Sequence, residues 1–201
     1  MTGDAAYWRA CAGTAMLYTG DFQNAKQLLQ AVTRRADRKT TTAAATMLET
    51  FHQHRAWQIG RANVRNRILI ELQHGNCNLA RSPELKEAVE AALGKEAPET
   101  LVLSLRETLG MIGANEWRKK GVYVAALDAS IHANYGVFSP VRGEYLSLIN
   151  EAPLNNPQQV GWDIGTGTGV IAAVLAARGV KHVIATDTSV RASQCAAENI
   201  Q

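Results

Sequence analysis

The chain has 201 residues, of which 46% are hydrophobic and 19% charged, and its formal net charge is +3. This composition excludes a wholly disordered chain, because the apolar content is high and the net charge is low. No run approaches about 18 apolar residues, so no membrane span is predicted, and the N-terminus lacks the pattern of a secretory signal. The three cysteines are odd in number and scattered, which predicts free thiols and a reducing, cytoplasmic compartment.

Positive charge is concentrated in one segment, residues 22–67. The segment has nine basic and two acidic residues, a net charge of +7, so the rest of the chain carries −4. Arg34 and Arg38, like Arg61 and Arg65, have the i, i+4 spacing that places two side chains on one helix face. A shared basic face can bind RNA phosphates, whereas a merely solvated face is the simpler alternative. Both interpretations of residues 22–67 stay open.

Residues 1–110 are predicted to form a helical N-terminal recognition domain. Asp21 is a good N-cap, because its carboxylate can accept hydrogen bonds from the free N–H groups of a helix start. Ser82, Pro83 and Glu84 combine an N-cap, a proline at the first helical position and an acid in the first turn. The predicted helices cover residues 5–18, 22–38, 42–58, 63–73, 83–94 and 98–110.

Residues 111–134 are predicted to be a linker, made of a short helix that ends at Gly121 and a β-hairpin. The hairpin pairs Val122–Val124 with a strand near residues 130–133, and Asp128 supplies the turn. Strands and helices alternate over residues 135–201, which predicts a parallel, doubly wound sheet and an α/β fold. The expected elements are helices 142–150, 169–178 and 189–200, and strands 160–164 and 182–186.

The most specific motif lies at the first strand–helix turn of this second part. Gly165, Gly167 and Gly169 directly follow the strand, where glycine lets the backbone turn tightly and approach a ligand. The next helix is expected to point free N–H groups at that ligand. Asp163 precedes the first glycine, and Asp187 ends the next strand, 22 residues after Gly165. An acid there can accept hydrogen bonds from both ribose hydroxyls of a nucleotide.

Two nucleotide classes compete for this motif. A dinucleotide fingerprint requires G-x-G-x-x-G, but the third glycine is Gly169 and position 170 is Val170. A pyrophosphate also disfavours an acid as close as Asp163, whereas S-adenosylmethionine has no phosphate and carries a sulfonium and an amino group. The pattern therefore favours S-adenosylmethionine over NAD. No spacing typical of a metal site or of a nucleophilic catalyst accompanies it.

The same residues resemble a known family, the class I S-adenosylmethionine-dependent methyltransferases. The resembling stretches are Asp163-Ile-Gly-Thr-Gly-Thr-Gly169, Ala185-Thr-Asp187-Thr-Ser and Ala197-Glu-Asn199. Upstream, Tyr135-Gly-Val-Phe-Ser-Pro140-Val-Arg142-Gly-Glu144 is similar to the methyltransferase small domain group, which includes release-factor glutamine N5-methyltransferases and ribosomal RNA N-methyltransferases. The resemblance covers residues 134–201 and is only architectural before them. It implies that residues 135–201 supply the first strands and helices of a Rossmann-like sheet.

The resemblance also implies roles for individual residues. The three glycines hold the methionine part of the donor, Asp163 its amino group and Asp187 its ribose, with Thr188 near the adenine. A loop that contains Phe138 and Glu144 covers the donor. The residues implied to bind S-adenosylmethionine are Asp163, Gly165, Thr166, Gly167, Gly169, Asp187, Thr188, Phe138, Pro140 and Arg142.

Two departures from the group bear on the substrate. Release-factor enzymes carry Pro-Arg-Pro-x-Thr-Glu where this chain has Ser139–Glu144, which weakens the specific assignment of glutamine methylation. No Asn-Pro-Pro-aromatic motif, which orients the substrate nitrogen in the group, occurs in these residues. Two parallel strands cannot bury both faces of a doubly wound sheet, so we expect the N-terminal part of a longer protein, or a chain that needs a partner.

The sequence thus predicts a methyltransferase that modifies a nitrogen of a macromolecule. The expected partner is a protein, such as a release factor or ribosomal protein methylated on a glutamine amide, or an RNA methylated on a base amine. The alternative is a catalytically silent fragment whose helical part binds RNA or a protein. A partner in the membrane is not expected.

Overall fold

A computed structural model describes residues 1–38, 45–154 and 160–201. The chain divides into two compact units, Met1–Ile112 and Gly113–Gln201. Both units combine helices with β-strands, so the fold is α/β. Among the described residues, no helix has the length and apolar character needed to cross a membrane.

The first unit contains a four-stranded sheet. Its strands are β1 (Met16–Leu17), β2 (Ile68–Gln73), β3 (Asn76–Cys77) and β4 (Thr100–Ser104). β2 is central, because β1 pairs with it in parallel while β3 and β4 pair with it antiparallel. Its alternate residues Ile68, Ile70 and Leu72 are fully buried, since successive strand side chains point to opposite faces. The central strand therefore contributes directly to the core of this unit.

Helices lie before, between and after these strands in the sequence. They are α1 (Gly3–Cys11), α2 (Phe22–Ala36), α3 (Met47–Arg65), α4 (Lys86–Leu93) and α5 (Leu105–Lys120). As predicted, Asp21 caps α2, and its Oδ1 accepts hydrogen bonds from the N–H groups of Gln23 and Asn24. α3 begins with a capping box in which Thr46 and Glu49 satisfy each other's backbone N–H groups. The predicted helix start at Thr42 lies outside the described residues.

The prediction that residues 1–110 are all helical is wrong at three places. The end of the first predicted helix is β1, the predicted helix 63–73 is mostly β2, and the segment after Pro98 forms β4 before α5 begins. The error at β2 arises because Leu, Glu and Gln are strong helix formers. Pairing with β4 decides the conformation instead, since strand formation depends on neighbouring strands more than on intrinsic preference.

Two helix boundaries also differ from the prediction. α4 begins at Lys86 rather than after Ser82, because its first N–H groups are capped from a distant residue. The side-chain Oδ1 of Asn76 accepts hydrogen bonds from the N–H groups of Leu85 and Lys86, at 3.0 and 3.1 Å. α4 does end at Gly94, as predicted. α5 continues through Gly110 to Lys120, so the predicted break and separate short helix are wrong.

The second unit follows the predicted order of elements. β5 (Val122–Val124) and β6 (Ala129–Ile131) form the predicted antiparallel hairpin. Asp128 lies in its turn with a φ of +50° and accepts a hydrogen bond from the hydroxyl of Tyr123 at 2.8 Å. Asp is one of the few residues that enter this left-handed region readily, which explains the turn.

The βα elements follow the hairpin. They are α6 (Glu144–Glu151), β7 (Val160–Ile164), α7 (Val170–Ala177), β8 (His182–Thr186) and α8 (Val190–Ile200). β7 and β8 occupy the predicted residues and pair in parallel, with Asp163 opposite Ala185. One face of this pair is open, because Trp162 is 62% and Ile164 82% exposed. The polar end of the pair, where both strands terminate, carries the candidate site.

Candidate functional site

The glycine loop, residues 165–169, connects the end of β7 to the start of α7. Because β7 and β8 are parallel, their carboxyl ends lie at the same edge of the sheet. Ligands of open α/β sheets bind outside this edge. Asp163 near the end of β7 and Asp187 after β8 therefore flank the loop from its two sides.

The three glycines all have positive φ, but they face different surroundings. A Cβ on Gly165 or Gly167 would meet no atom within 4 Å, so open space lies beside both. A Cβ on Gly169 would lie 2.9 Å from Cδ1 of Ile200 and 3.0 Å from Cα of Ala196. Gly169 thus serves the close packing of α7 on α8, whereas the first two glycines leave room at the surface of the loop.

Asp163 is a buried carboxylate that holds the loop to the first turn of α7. Only 5% of the residue is exposed. Its Oδ2 accepts hydrogen bonds from the hydroxyl of Thr166 at 2.7 Å and from the N–H of Ala172 at 3.0 Å. A negative charge at a helix N-terminus also interacts favourably with the helix dipole. Asp163 therefore places a fixed anionic group directly beneath the loop.

Asp187 closes the loop from the neighbouring strand. Its Oδ2 accepts a hydrogen bond from the N–H of Gly167 at 3.0 Å, and its Oδ1 accepts one from the N–H of Ser189 at 2.9 Å. The hydrogen bond from Ser189 lowers the pKa of Asp187 most, followed by the bond from Gly167 and by one from the N–H of Thr188. Because such bonds favour the charged form, Asp187 is ionised at neutral pH.

The backbone N–H groups of the loop are largely bonded within the protein. Those of Gly165 and Thr166 both donate to the carbonyl oxygen of Thr186, at 2.7 and 2.9 Å, and that of Gly169 donates to the carbonyl oxygen of Thr166. With Gly167 bonded to Asp187, four N–H groups of the loop already have acceptors. The expectation of free N–H groups concerned the start of α7, and there it is wrong for Ala172, whose N–H donates to Asp163. A phosphate site at a helix N-terminus depends on such free donors.

Of the remaining predicted site residues, Thr188 joins this network through its N–H, which bonds to Asp187, whereas no hydrogen bond links Phe138, Pro140 or Arg142 to it in the described part of the chain. Phe138 is 69% exposed, Arg142 and Thr188 are exposed, and Pro140 is buried. The upstream loop is attached through Tyr135, whose carbonyl oxygen accepts a hydrogen bond from Arg191 of α8 at 3.0 Å. The structure therefore brings Asp163, the glycine loop and Asp187 together, and within the described residues it links neither Phe138 nor Arg142 to them by a hydrogen bond.

Asn199 supports the site, although no role for it was predicted from the sequence. Its amide donates hydrogen bonds to the carbonyl oxygens of His132, at 3.0 Å, and Thr168, at 3.1 Å, and its Oδ1 accepts one from the N–H of His132 at 2.8 Å. Asn199 thus joins the end of β6 to the glycine loop. Its place in the Ala197-Glu-Asn199 stretch was the available signal, but only the fold shows what the amide contacts.

Tyr145 of α6 is a second residue that the sequence did not single out. Burial raises the pKa of its phenol, and the negative charge of Asp163 raises it further. Tyr145 also packs against the buried cluster of Val124, Ile131, Leu146 and Val170. It therefore presents a neutral hydroxyl in the electrostatic field of Asp163.

The chain was also compared with known proteins. No protein-family model matches it, and no curated protein sequence matches it.

The three cysteines are free, with Cys11 exposed and Cys77 and Cys195 buried. Within residues 1–38, 45–154 and 160–201, no group of three or more His, Cys, Asp or Glu side chains could hold a metal ion. The geometry of the glycine loop is therefore the basis for a functional assignment.

Proposed function

We propose that this protein is an S-adenosylmethionine-dependent methyltransferase. The observation that carries the proposal is the glycine loop held between two carboxylates, with open space beside Gly165 and Gly167. A Rossmann-like catalytic domain, to which residues 135–201 contribute the first strands and helices, is part of the same proposal. S-adenosylmethionine supplies an electrophilic methyl group on a sulfonium when it is bound.

The charges around the loop favour this cofactor over a dinucleotide. A pyrophosphate needs free N–H donors and no nearby anion, but four loop N–H groups are already bonded and two carboxylates flank the loop. A ligand with a sulfonium and an ammonium group benefits from the same anions. The donor set therefore fits a cationic ligand without phosphate better than it fits NAD.

Each residue of the network has a role in this proposal. Gly165 and Gly167 allow the methionine part to lie against the backbone, because no Cβ occupies that space. Asp187 stays ionised and accepts hydrogen bonds from the ribose hydroxyls while its bonds to Gly167 and Ser189 fix its orientation. Asp163 attracts the amino group, and Thr166 and Ala172 hold its carboxylate in place.

The proposed methyl acceptor is a nitrogen of a macromolecule, either a protein glutamine amide or an RNA base amine. This part rests on the likeness of residues 135–144 to the methyltransferase small domain group. The role of Phe138, Pro140 and Arg142 as a cover over the donor belongs to the same part. Positioning of the acceptor against the methyl group is the main catalytic contribution expected of such a site.

Calorimetric titration with S-adenosylhomocysteine tests the proposal on the full chain. We expect saturable binding, and we expect Asp187→Asn to weaken it by about tenfold or more, because hydrogen bonds to a charged acceptor are replaced by weaker ones to a neutral amide. Asp128→Asn is the matched control, since it makes the same change in the same unit but in the hairpin turn.

Three outcomes would contradict the proposal. They are no binding by a chain shown to be folded, equal weakening by both Asn variants, and preferential binding of NAD. Thermal unfolding of each variant establishes that it is folded before it is titrated. Unchanged affinity in Asp187→Asn alone would remove Asp187 from the site while leaving the cofactor class intact.

A further inference from the structure

The first unit contains a basic cavity that the proposed function does not use. Its volume is about 460 Å³, which is within the usual range for a small-molecule site. It lies between α1, the end of α2 and the C-terminal half of α3, and its polar and aromatic lining includes Tyr7, Cys11, Arg38, Trp57, Arg61 and Arg67. We call it the arginine cavity. None of its described lining residues is acidic.

The charge around the arginine cavity is only partly neutralised. Asp37 forms ion pairs with both Arg61 and Arg65 through the same oxygen, Oδ1, so one carboxylate serves two guanidinium groups. The side chains of Arg38 and Arg67 form no hydrogen bond or ion pair within the described residues. Arg38 also interacts with the charge of Asp4, but Asp4 is already ion-paired with Arg35. The arginines at the cavity therefore retain an excess of positive charge that a bound anion would offset.

Two buried donors add to this excess. The Nε–H groups of Arg61 and Arg65 are buried and have no acceptor among the described residues. Leaving a charged donor unpaired in a buried position is costly. Of these two arginines, Arg61 lines the arginine cavity. An anion there can pair with its guanidinium, because guanidinium groups match phosphate oxygens with several N–H donors in a fixed plane.

An aromatic ring is part of the same wall. The guanidinium carbon of Arg61 lies 4.1 Å from the centre of the Trp57 ring, a cation–π contact that holds both side chains at the cavity. Tyr7 lines the cavity from α1. The cavity therefore combines guanidinium groups with aromatic surface, which is the combination that nucleotide ligands use.

We propose that the arginine cavity binds a nucleotide through its phosphate, either as a free nucleotide or as one unit of single-stranded RNA. Arg38 and Arg67 contact the phosphate, while Arg61 and Trp57 form the wall against the base or sugar. An acidic peptide is the competing ligand. It is less well matched, since its carboxylates would pair with the arginines but would make no use of the aromatic wall or of the cavity volume.

Calorimetric titration of the full chain without S-adenosylmethionine tests the proposal independently of the methyltransferase assignment. The probes are inorganic phosphate, adenosine monophosphate, an eight-residue oligouridylate and an oligoglutamate of the same length. We expect the oligouridylate or the monophosphate to bind more tightly than the oligoglutamate. Tighter binding of the oligouridylate identifies RNA as the source of the nucleotide, and tighter binding of the monophosphate identifies a free nucleotide.

Substitution of the unpaired arginines locates the binding. We expect Arg38→Gln combined with Arg67→Gln to weaken nucleotide binding by about tenfold or more, because two charge-assisted contacts are lost. Arg55→Gln is the matched control, since Arg55 lies on α3 outside the cavity and stacks on Phe51. We expect the control to change affinity by less than about twofold, as loss of a distant charge affects binding only through the screened overall field.

Several results would overturn the proposal. They are no binding of any nucleotide probe, binding of the oligoglutamate as tight as that of the tighter nucleotide probe, and equal weakening by the double variant and by Arg55→Gln. Among the described residues, no ion pair involves Arg38 or Arg67, so substituting them breaks none of the salt bridges of the fold. If the double variant unfolds at the same midpoint temperature as the wild type, its loss of binding reflects the changed cavity and not a loss of structure.

Discussion

The two units of the chain differ in what their β-strands do. In the first unit, β2 is paired on both edges, and Ile68, Ile70 and Leu72 on it are fully buried. In the second unit, β7 and β8 form a two-stranded sheet on which Trp162 and Ile164 are mostly exposed. The first sheet supplies hydrophobic core, whereas the second serves mainly as a platform for the glycine loop.

This difference predicts two kinds of sensitivity to substitution. The first unit depends on burial of apolar side chains, which stabilises a fold roughly in proportion to the area removed from water. The end of the second unit that carries the site depends on two carboxylates and on glycine conformations. Matched substitutions, one in each unit or two within one loop, should therefore separate packing from loop geometry.

The largest effect is expected from truncation in the buried strand. Ile70→Ala should lower the free energy of unfolding by about 2–5 kcal/mol, because a fully buried Ile loses its contacts and leaves a cavity. Unfolding in urea, followed by circular dichroism, measures the change. The result sets the energetic scale of the core in the first unit.

Ile164→Ala is the control, since it makes the same chemical change in the second unit. Ile164 is 82% exposed, so we expect the free energy of unfolding to fall by less than about 0.5 kcal/mol, as is usual for surface substitutions. A loss as large as that of Ile70→Ala would mean that the face of β7 is covered in the protein in solution. The contrast between the two sheets would then fail.

The next effect separates two glycines within the loop. Gly165→Ala should lower the free energy of unfolding by about 1–2 kcal/mol, since a residue with a Cβ is strained at positive φ. Gly169→Ala should lower it by about 1–3 kcal/mol more, because the added Cβ also meets Ala196 and Ile200. Urea unfolding measures both changes in stability. Titration with S-adenosylhomocysteine should show that Gly165→Ala loses more affinity than Gly169→Ala for the same loss of stability. Equal destabilisation would contradict the different surroundings described for these two glycines.

The same contrast explains which parts of the fold could be predicted from the sequence. β7 and β8 were predicted at the correct residues, because apolar runs there end in glycines and acids that mark a strand–helix turn. β2 was missed, because Leu69, Glu71 and Gln73 alternate with the buried residues and all three favour helices. Its conformation depends on pairing with β4, about 30 residues away in the sequence.

The candidate site shows a similar limit. The sequence motif identifies Asp163, the glycines and Asp187, and these residues do lie around one loop. It gave no sign that the loop N–H groups are already bonded, since that depends on the carbonyl oxygen of Thr186 on the neighbouring strand. It gave no role to Asn199 either, because the His132 and Thr168 carbonyls it joins are far apart in sequence.

The smallest expected effect concerns pH. The pKa of Asp187 is lowered in the folded chain by hydrogen bonds from the N–H groups of Ser189 and Gly167. A lowered pKa contributes stability above the pKa of the unfolded chain, and this contribution is lost as the pH falls through the folded value. We therefore expect the stability difference between wild type and Asp187→Asn to be constant above about pH 5 and to shrink below about pH 4. Urea unfolding at a series of pH values measures it.

Ile70→Ala provides the comparison over the same pH series. Its destabilisation arises from lost packing in the first unit, so the difference from wild type should not change as carboxylates are protonated. A pH-independent difference for Asp187→Asn as well would mean that its carboxylate does not stabilise the loop. A difference that shrinks for Asp187→Asn alone would instead show that the glycine loop is held electrostatically, whereas the first unit is held by burial.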